Sequence, residues 1–412
     1  MKGHIVKPAK GSYSLVIELG PHPETGKRQQ KWITLEGDKS AAEDELHKQI
    51  NLVKTGDFID PDKVTVAEFF DQWLSVVAEQ KVGHKTFERY ESIVKNHIVP
   101  ALGRLPLPKL TALHIETHYA RLAKEGRKDG REGGLSAQTI LHHHRLISEA
   151  MQKAVTWKLR THNPADGVTT PRIRRREVTP IDEAQAAWLV TAAEGTRLYI
   201  PVLIAVCAGL RRGEILAVRW TDVDWDLEAF NIRRALEESK RGIEFKEPKS
   251  KSGRRPVAIP SILLEVLQIH KAKQQEYREA LGDGYQDNDL ICCVEEGSIW
   301  KPSAFTSAYR DLLRRRKLTG PNFHALRHAH ASHLLKDGVD IKVISRRLGH
   351  SRASFTMDVY AHLMPGQDEE AAKRTDAGLR KALKETSRVV GYSGSSLGKS
   401  VSKPVAKWQK QA

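Results

Sequence analysis

The sequence predicts a multidomain protein. A small β-sheet-plus-helix module comes first, then an all-α domain, then a mixed α+β domain that is mainly helical with a small antiparallel sheet. Three observations predict it. The chain has 412 residues, which suits about three domains at ~150 residues each. Apolar residues alternate in the first sixty positions and then adopt three-and-four spacing. A strongly basic stretch near residue 170 separates the helical part from a region where helices and strands mix.

In the first module, residues 1–60, Tyr13-Ser-Leu-Val-Ile-Glu-Leu19 and Gln30-Lys-Trp-Ile-Thr-Leu35 are strand candidates. Pro-Glu-Thr-Gly-Lys-Arg-Gln between them is a hairpin turn with Lys27 and Arg28 at its tip. Asp38-Lys-Ser40 offers an N-cap for a helix reaching about Val53. Trp32 either packs inward or is presented to a partner. Phe58-Ile-Asp-Pro-Asp-Lys has a turn composition and ends the module.

The second domain spans 64–165. Val66, Phe69, Phe70, Trp73, Leu74 and Val77 mark its first helix. A second starts near Lys85 and ends before Pro100, a third opens at Thr111, and Ser136 caps a fourth that runs to about Lys158. Lys85, Thr86, Arg89 and Tyr90 suit phosphate contacts or a solvated charged face. The run His142-His143-His144 is not a metal site, because consecutive helical residues point about 100° apart and cannot converge on one ion. The linker, 166–178, carries Arg174, Arg175 and Arg176, either to lie along phosphates or to serve as a soluble hinge.

The third domain, 179–385, opens with Thr179-Pro-Ile-Asp-Glu-Ala, a cap followed by Pro at the first helical position. Leu198 to Ala208 is apolar nearly all round and reads as a buried central helix. It leads directly into Gly209-Leu-Arg-Arg-Gly-Glu214, where buried walls can hold a cation rigid. Three strands follow, from Ala229, Ile243 and Arg255, with Lys249-Ser-Lys251-Ser-Gly253 as the turn between the second and third. A helix covers Ser261 to about Leu281, a short buried strand Asp289–Val294, and Ser303 caps the helix that ends in the basic run Arg314–Lys317. Further on, His324 and Arg327 lie three apart on one helical face. Asp340 caps a short amphipathic helix that Gly349 ends, and His350 follows at the chain reversal. Tyr360 sits ten residues later in a helical segment opened by Ser354. A helix over about 368–384 and a disordered basic tail, 386–412, end the chain.

Composition narrows the partners. Lys and Arg outnumber Asp and Glu by 67 to 51, for a net charge of +16, which suits a polyanion and above all nucleic acid. No apolar run approaches the ~18–20 residues of a membrane span, and the N-terminus lacks an apolar signal region, so a cytoplasmic protein is expected. Three cysteines without a Cys-x-x-Cys pair argue against a disulfide scaffold or thiolate zinc site.

Gly-Leu-Arg-x-x-Glu, then His-x-x-Arg, then Leu-Gly-His, then Tyr resembles the signature of the tyrosine recombinases, the phage-integrase family. The resemblance extends from about 64 to 365, and the first module is similar in shape and position to arm-binding domains. It implies a site-specific integrase that cleaves and rejoins double-stranded DNA through a 3′-phosphotyrosyl link, moving a phage or other mobile element. Carried over, Arg211 and Arg327 would hold the nonbridging oxygens, with Glu214 as buttress of Arg211. Tyr360 would be the nucleophile, His324 its base, and His350 a phosphate contact. Lys251 would be the general acid on a flexible hairpin, with Lys249 as the alternate. No metal or nucleotide cofactor is implied. The implied partners are core and arm-type DNA sites, a homotetramer on DNA, and DNA-bending or excision accessory proteins. A noncatalytic DNA-binding regulator and a type IB-like topoisomerase are the competing readings. Every position of the signature is filled, which disfavours the regulator, and the arm-like module disfavours the topoisomerase.

Overall fold

The structure is a computed structural model, in which residues 3–9, 12–21, 28–55, 64–173, 181–248, 251–317, 321–350, 354, 357 and 367–390 are described. Tyr360, Lys249, Lys27, the triple arginine of the linker and the tail beyond 390 lie outside the described residues. The chain divides into two compact units, Met1–Arg176 and Glu177–Ala412.

The first unit begins with an antiparallel meander, β1 (Gly3–Ala9), β2 (Ser12–Pro21) and β3 (Arg28–Glu36), with β2 central. Leu15 and Ile17 of β2 are buried against Ala42 and Leu46 of helix α1 (Lys39–Thr55). Asp38 caps α1, accepting the Ala41 N–H at 2.8 Å. The strand period of two decides Trp32: Ile33 and Leu35 take the covered face, and Trp32 is left 58% exposed on the other.

The helical domain follows. α2 (Val66–Trp73) starts at a reciprocal cap between Thr65 and Glu68. It continues through a π turn at Leu74–Ala78 into α3 (Glu79–Lys81). α4 (His84–Ile93) likewise passes through a π turn at Val94–Ile98 into α5 (Val99–Leu102). Pro100 was expected to lie beyond the helix, yet it stands inside the run. The Val99 N–H reaches back five residues to the Val94 carbonyl, and this wider turn places Pro100 in the opening turn of α5. α6 (Ala112–Glu125) and α7 (Ala137–Thr156) start at Thr111 and Ser136, as the sequence predicts. Phe69, Phe70, Trp73, Ile98, Ile115 and Met151 fill the core.

In the second unit, α8 (Glu183–Ala193) is capped by Asp182 with Gln185, three residues later than the cap expected at Thr179. α9 (Tyr199–Ala208) is the buried centre: Val202, Ile204 and Ala208 are fully enclosed. After α10 (Arg212–Ile215), the strands form two sheets rather than one. β4 (Val223–Asp224), β5 (Ala229–Ile232) and β8 (Arg255–Ala258) make the first in that order. β6 (Ala235–Ser239) and β7 (Gly242–Lys246) pair as a separate hairpin. The segment holding Lys251 therefore connects two sheets, and its last residues form a 3-10 turn, Lys251–Gly253. It is not the tip of a β7–β8 hairpin.

α11 (Ser261–Leu281) has its expected bounds. The strand expected at 289–294 reduces to isolated bridges, Leu290 with Arg219 and Cys293 with Ile299. α12 (Pro302–Arg315) begins one residue before the expected cap, and Ser303 instead donates through its N–H and Oγ to Glu238. α13 (His324–Lys336) packs on α9, and α14 (Ile341–Leu348) runs from the Asp340 cap to Gly349. α15 (Gln367–Val390) continues five residues into the stretch expected to be a disordered tail.

Candidate active site

Two positive-φ glycines form the floor of the site. Gly209 ends α9 at φ 65° and Gly349 ends α14 at φ 67°. A Cβ at Gly209 would stand 2.5 Å from His330 Cδ2, so the backbone here passes directly against the His330 imidazole of α13. Arg211 directly follows this turn. Its backbone N–H donates to Glu214 Oε2 at 2.8 Å, its Nη1 to Glu214 Oε1 at 2.9 Å and its Nη2 to the Gly349 carbonyl at 3.1 Å. The side chain remains 40% exposed, whereas that of Glu214 is 4% exposed. The neighbouring Arg212 points elsewhere, donating to Thr306 and to the Pro302 carbonyl. That difference separates two adjacent arginines that the sequence alone distinguishes only by their place in a motif.

Arg327 comes from the first turn of α13 and is 2% exposed. Its Nη1 donates to the Gly209 carbonyl at 2.7 Å and its Nη2 to the Leu348 carbonyl at 2.5 Å. The two guanidiniums thus converge on the same turn, one at Leu348 and the other at Gly349. His350 follows that turn, its N–H bonded to the Ser345 carbonyl at 3.0 Å. His324, one turn before Arg327, has an exposed outer edge and an edge-to-face contact with His328.

The electrostatics follow from crowding cations beside imidazoles. Burial pushes His324 down to about 4, with His328, Arg327 and Arg211 adding to the effect. Burial, then Arg327, Arg211 and Arg255, push His350 down to about 4. Both rings are neutral at pH 7 and able to accept a proton or a hydrogen bond. A phosphate between the arginines would carry the opposite charge and raise the proton affinity of both. Glu214 shows the reverse balance. Burial works to raise its carboxyl, but hydrogen bonds and charge from Arg255 and Arg211 outweigh burial and hold it below the usual carboxylate range.

A second set of residues supports these, and motif reading missed most of it. Arg255 is 6% exposed and bonds both oxygens of Glu214, at 3.1 and 3.2 Å. Arg347 donates from Nε to His330 Nε2 at 2.9 Å, and from Nη2 to the Cys207 and Ala258 carbonyls at 3.0 Å. His330 completes the link through Nδ1 to the Val206 carbonyl at 2.8 Å, which fixes it as the neutral Nδ1–H tautomer. One signal for Arg255 was present in the sequence. It shares the inward face of β8 with Val257, and a cation on a buried face requires a partner. Next to it, Arg233, Arg234, Arg254 and Arg255 line a cleft of about 540 Å³.

Of the positions the sequence singles out, Arg211, His324, Arg327 and His350 are brought together. Lys251 lies in the turn just before Arg255, and Tyr360 is outside the described residues. In the helical domain, Tyr90 is stacked on Trp73 and bonded to Glu149, whereas Lys85 and Arg89 stay exposed. The three consecutive histidines diverge as expected. His143 is buried, and His144 Nδ1 meets the Tyr119 hydroxyl at 3.3 Å. Among the described residues no group of three or more His, Cys, Asp or Glu side chains is arranged to hold a metal ion.

Comparison with known proteins places this arrangement. The phage integrase family matches residues 179–366, and the phage integrase N-terminal SAM-like domain matches residues 65–123. A tyrosine recombinase XerC-like protein of Caldanaerobacter subterraneus is 27% identical over 392 residues, covering 90% of this chain and 97% of its own. The ICEBs1 integrase of Bacillus subtilis is 25% identical over 292 residues, covering 70% and 77%. Among solved structures, the Tn1549 transposon integrase bound to a circular intermediate DNA superposes with a TM-score of 0.62 at 19% identity, over 76% of this chain and 100% of that one. A lambda integrase dimer bound to a core site gives 0.53 at 18% identity, over 86% and 94%. These structures show a shared fold, multidomain and mostly helical with small sheets. The matches show a phage integrase family domain over residues 179–366 and a phage integrase N-terminal SAM-like domain over residues 65–123, in a chain whose sequence relatives are named tyrosine recombinase and integrase.

Proposed function

We propose that the chain is a site-specific integrase that cuts and rejoins DNA strands through a tyrosyl phosphodiester. The observation that carries this reading is the convergence of Arg211 and Arg327 on one turn, with His324 and His350 beside them. Fixed guanidinium forks suit the two nonbridging oxygens of a phosphodiester and gain strength as negative charge develops. Tyr360 Oη attacks phosphorus, so a P–Oη bond forms as the P–O5′ bond breaks. A phenol with pKa ~10 must lose its proton on the way, and neutral His324 takes it. Lys251 delivers a proton to the departing O5′, leaving a free 5′-hydroxyl. His350 donates a hydrogen bond to the phosphate. The bond energy stays in the enzyme–DNA link, so a 5′-hydroxyl from another strand can reverse the step and exchange strands.

The remaining parts serve the same reading. Residues 64–165 would clasp the core site and 179–385 would do the chemistry. Residues 1–60 would bind arm-type sites, with the exposed Trp32 at the sheet surface. The net charge of +16 supports a nucleic-acid partner. The solved relatives include a lambda integrase tetramer bound to a Holliday junction, and we propose that this chain also acts as four copies on DNA, with accessory DNA-bending proteins. No described helix is long and apolar enough to cross a membrane, and the proposed place of action is the cytoplasm.

The test is a nicked suicide substrate carrying the element's core site, incubated without magnesium, with the adduct mapped by mass spectrometry. A covalent link on Tyr360 that disappears in Tyr360→Phe is the expected result. DNA binding with no adduct would favour a noncatalytic regulator with this fold. Relaxation of supercoils without strand exchange would favour a topoisomerase.

A further inference from the structure

The site contains three arginines, Arg211, Arg255 and Arg327, and the reaction as described uses the first and the last. Arg255 cannot reach a substrate, since its fork is fully turned into the protein. Nη1 and Nη2 each bond one oxygen of Glu214, Nε donates to the Arg347 carbonyl at 2.6 Å, and Nη1 also donates to the Gly253 carbonyl at 3.1 Å. Gly349 has no room for a side chain because Arg255 occupies it: a Cβ there would stand 2.6 Å from Nη1 and 2.8 Å from Cζ. One guanidinium therefore touches the Arg211–Glu214 turn, the segment just after Lys251, and the turn that leads into His350.

We infer that Arg255 is a positioning residue that keeps Arg211 available to the scissile phosphate. The inference rests on the phosphoryl-transfer reading above. A buried carboxylate must have its charge and both oxygens matched. With Arg255 present, Glu214 is matched from the protein side and takes one side-chain N–H from Arg211. Without Arg255, both oxygens would draw on Arg211, which is 40% exposed and able to rotate inward. The fork meant for the substrate would then close on Glu214. Arg255 acts by occupying the carboxylate so that its neighbour commits only one side-chain N–H to it.

The test compares full-length wild type, Arg255→Met and Arg255→Lys, the last keeping the charge and losing the fork. Cleavage at saturating DNA should fall about 30-fold or more in Arg255→Met and by less in Arg255→Lys, with DNA affinity within about threefold of wild type. On a substrate whose scissile phosphate is a methylphosphonate, the charge Arg211 answers is removed. The Arg255→Met deficit should shrink there to about threefold, as it should for Arg211→Lys. A deficit equal on both substrates, or a fall in affinity and thermal stability that accounts for it, would overturn the inference. Crystal structures of Arg255→Met and Arg255→Lys decide it independently of activity. Arg211 bonded through its fork to both Glu214 oxygens is expected in Arg255→Met, and a guanidinium unmoved in both variants refutes the role. If wild type itself forms no adduct, the recombinase reading fails, and these structures still decide where Arg211 goes.

Discussion

Two groups of buried imidazoles, one in each unit, are held in opposite ways. In the helical domain, His118 and His143 are 3% and 1% exposed, with His97 beside them at a ring distance of 5.0 Å from His143. Neither nitrogen of His118 has a hydrogen-bond partner, nor does His143 Nδ1. In the second unit, both nitrogens of the 7%-exposed His330 are engaged, one to a carbonyl and the other to Arg347. The first group fills space at a polar cost, while the second builds an anchored network beneath the site. Burial of a titratable ring therefore does not mark a functional centre. What distinguishes the candidate site is that both nitrogens of His330 have partners, one of which, Arg347, in turn holds two carbonyls.

The contrast can be broken most sharply at Arg327. Arg327→Lys keeps the charge but loses the two-pronged hold on Gly209 and Leu348. Cleavage of the suicide substrate should fall by ~10²–10³, and a variant that cleaves normally would detach the network from function. Next in size, Gly209→Ala places a methyl against His330 at positive φ. It should cost about 1–3 kcal/mol in denaturant unfolding; an unchanged midpoint would mean that the two helices can separate there.

A paired comparison tests the imidazoles themselves. His330→Leu leaves the Arg347 Nε without its acceptor and should destabilise by ~1–3 kcal/mol, whereas His118→Leu removes two unpartnered nitrogens and should be neutral or stabilising. Burial holds His118 down to about 4 and His143 to about 3, well under the ordinary 6.5. The unfolded chain therefore takes up these protons first. The associated stability is present above pH 6.5 and is lost as pH falls towards 4. Unfolding followed between pH 7 and pH 5 should show a shallower acid loss in His118→Leu, and an identical slope would count against this account. Smallest of all, the exposed Lys81–Glu149 pair joins two helices of the histidine-bearing domain at 2.6 Å. Lys81→Ala should shift stability by less than about 1 kcal/mol, as thermal melting would reveal.

Much of the fold was legible because it depended on local rules. Thr111, Ser136, Asp340 and Gly349 end their helices where capping chemistry says they should, and the three-and-four spacing from Val66 located the first helix of its domain. The misreadings have two physical origins, long-range pairing that no local window contains and a local turn that departs from the usual helical period. β7 and β8 are neighbours in sequence but join different sheets, so Lys251 sits on a connection rather than on a hairpin. Pro100 stays within its helical run because a π turn precedes it, and periodicity at 3.6 cannot represent that turn. For the site, the motif residues were legible and their supports were not. Arg255 and Arg347 are ordinary arginines in a basic chain until the structure shows what surrounds them.

The anchors of this network have a consequence for how such a site could be inherited or transplanted. Besides Glu214 and His330, seven main-chain carbonyls hold Arg211, Arg255, Arg327 and Arg347, those of Cys207, Gly209, Gly253, Ala258, Arg347, Leu348 and Gly349. A carbonyl survives any substitution that preserves the path of the chain. Side chains at several of these positions can drift without removing a contact, while a single inserted residue would misplace several contacts together. Grafting these arginines onto another scaffold would accordingly require copying two loops, and copying the residues alone would not suffice.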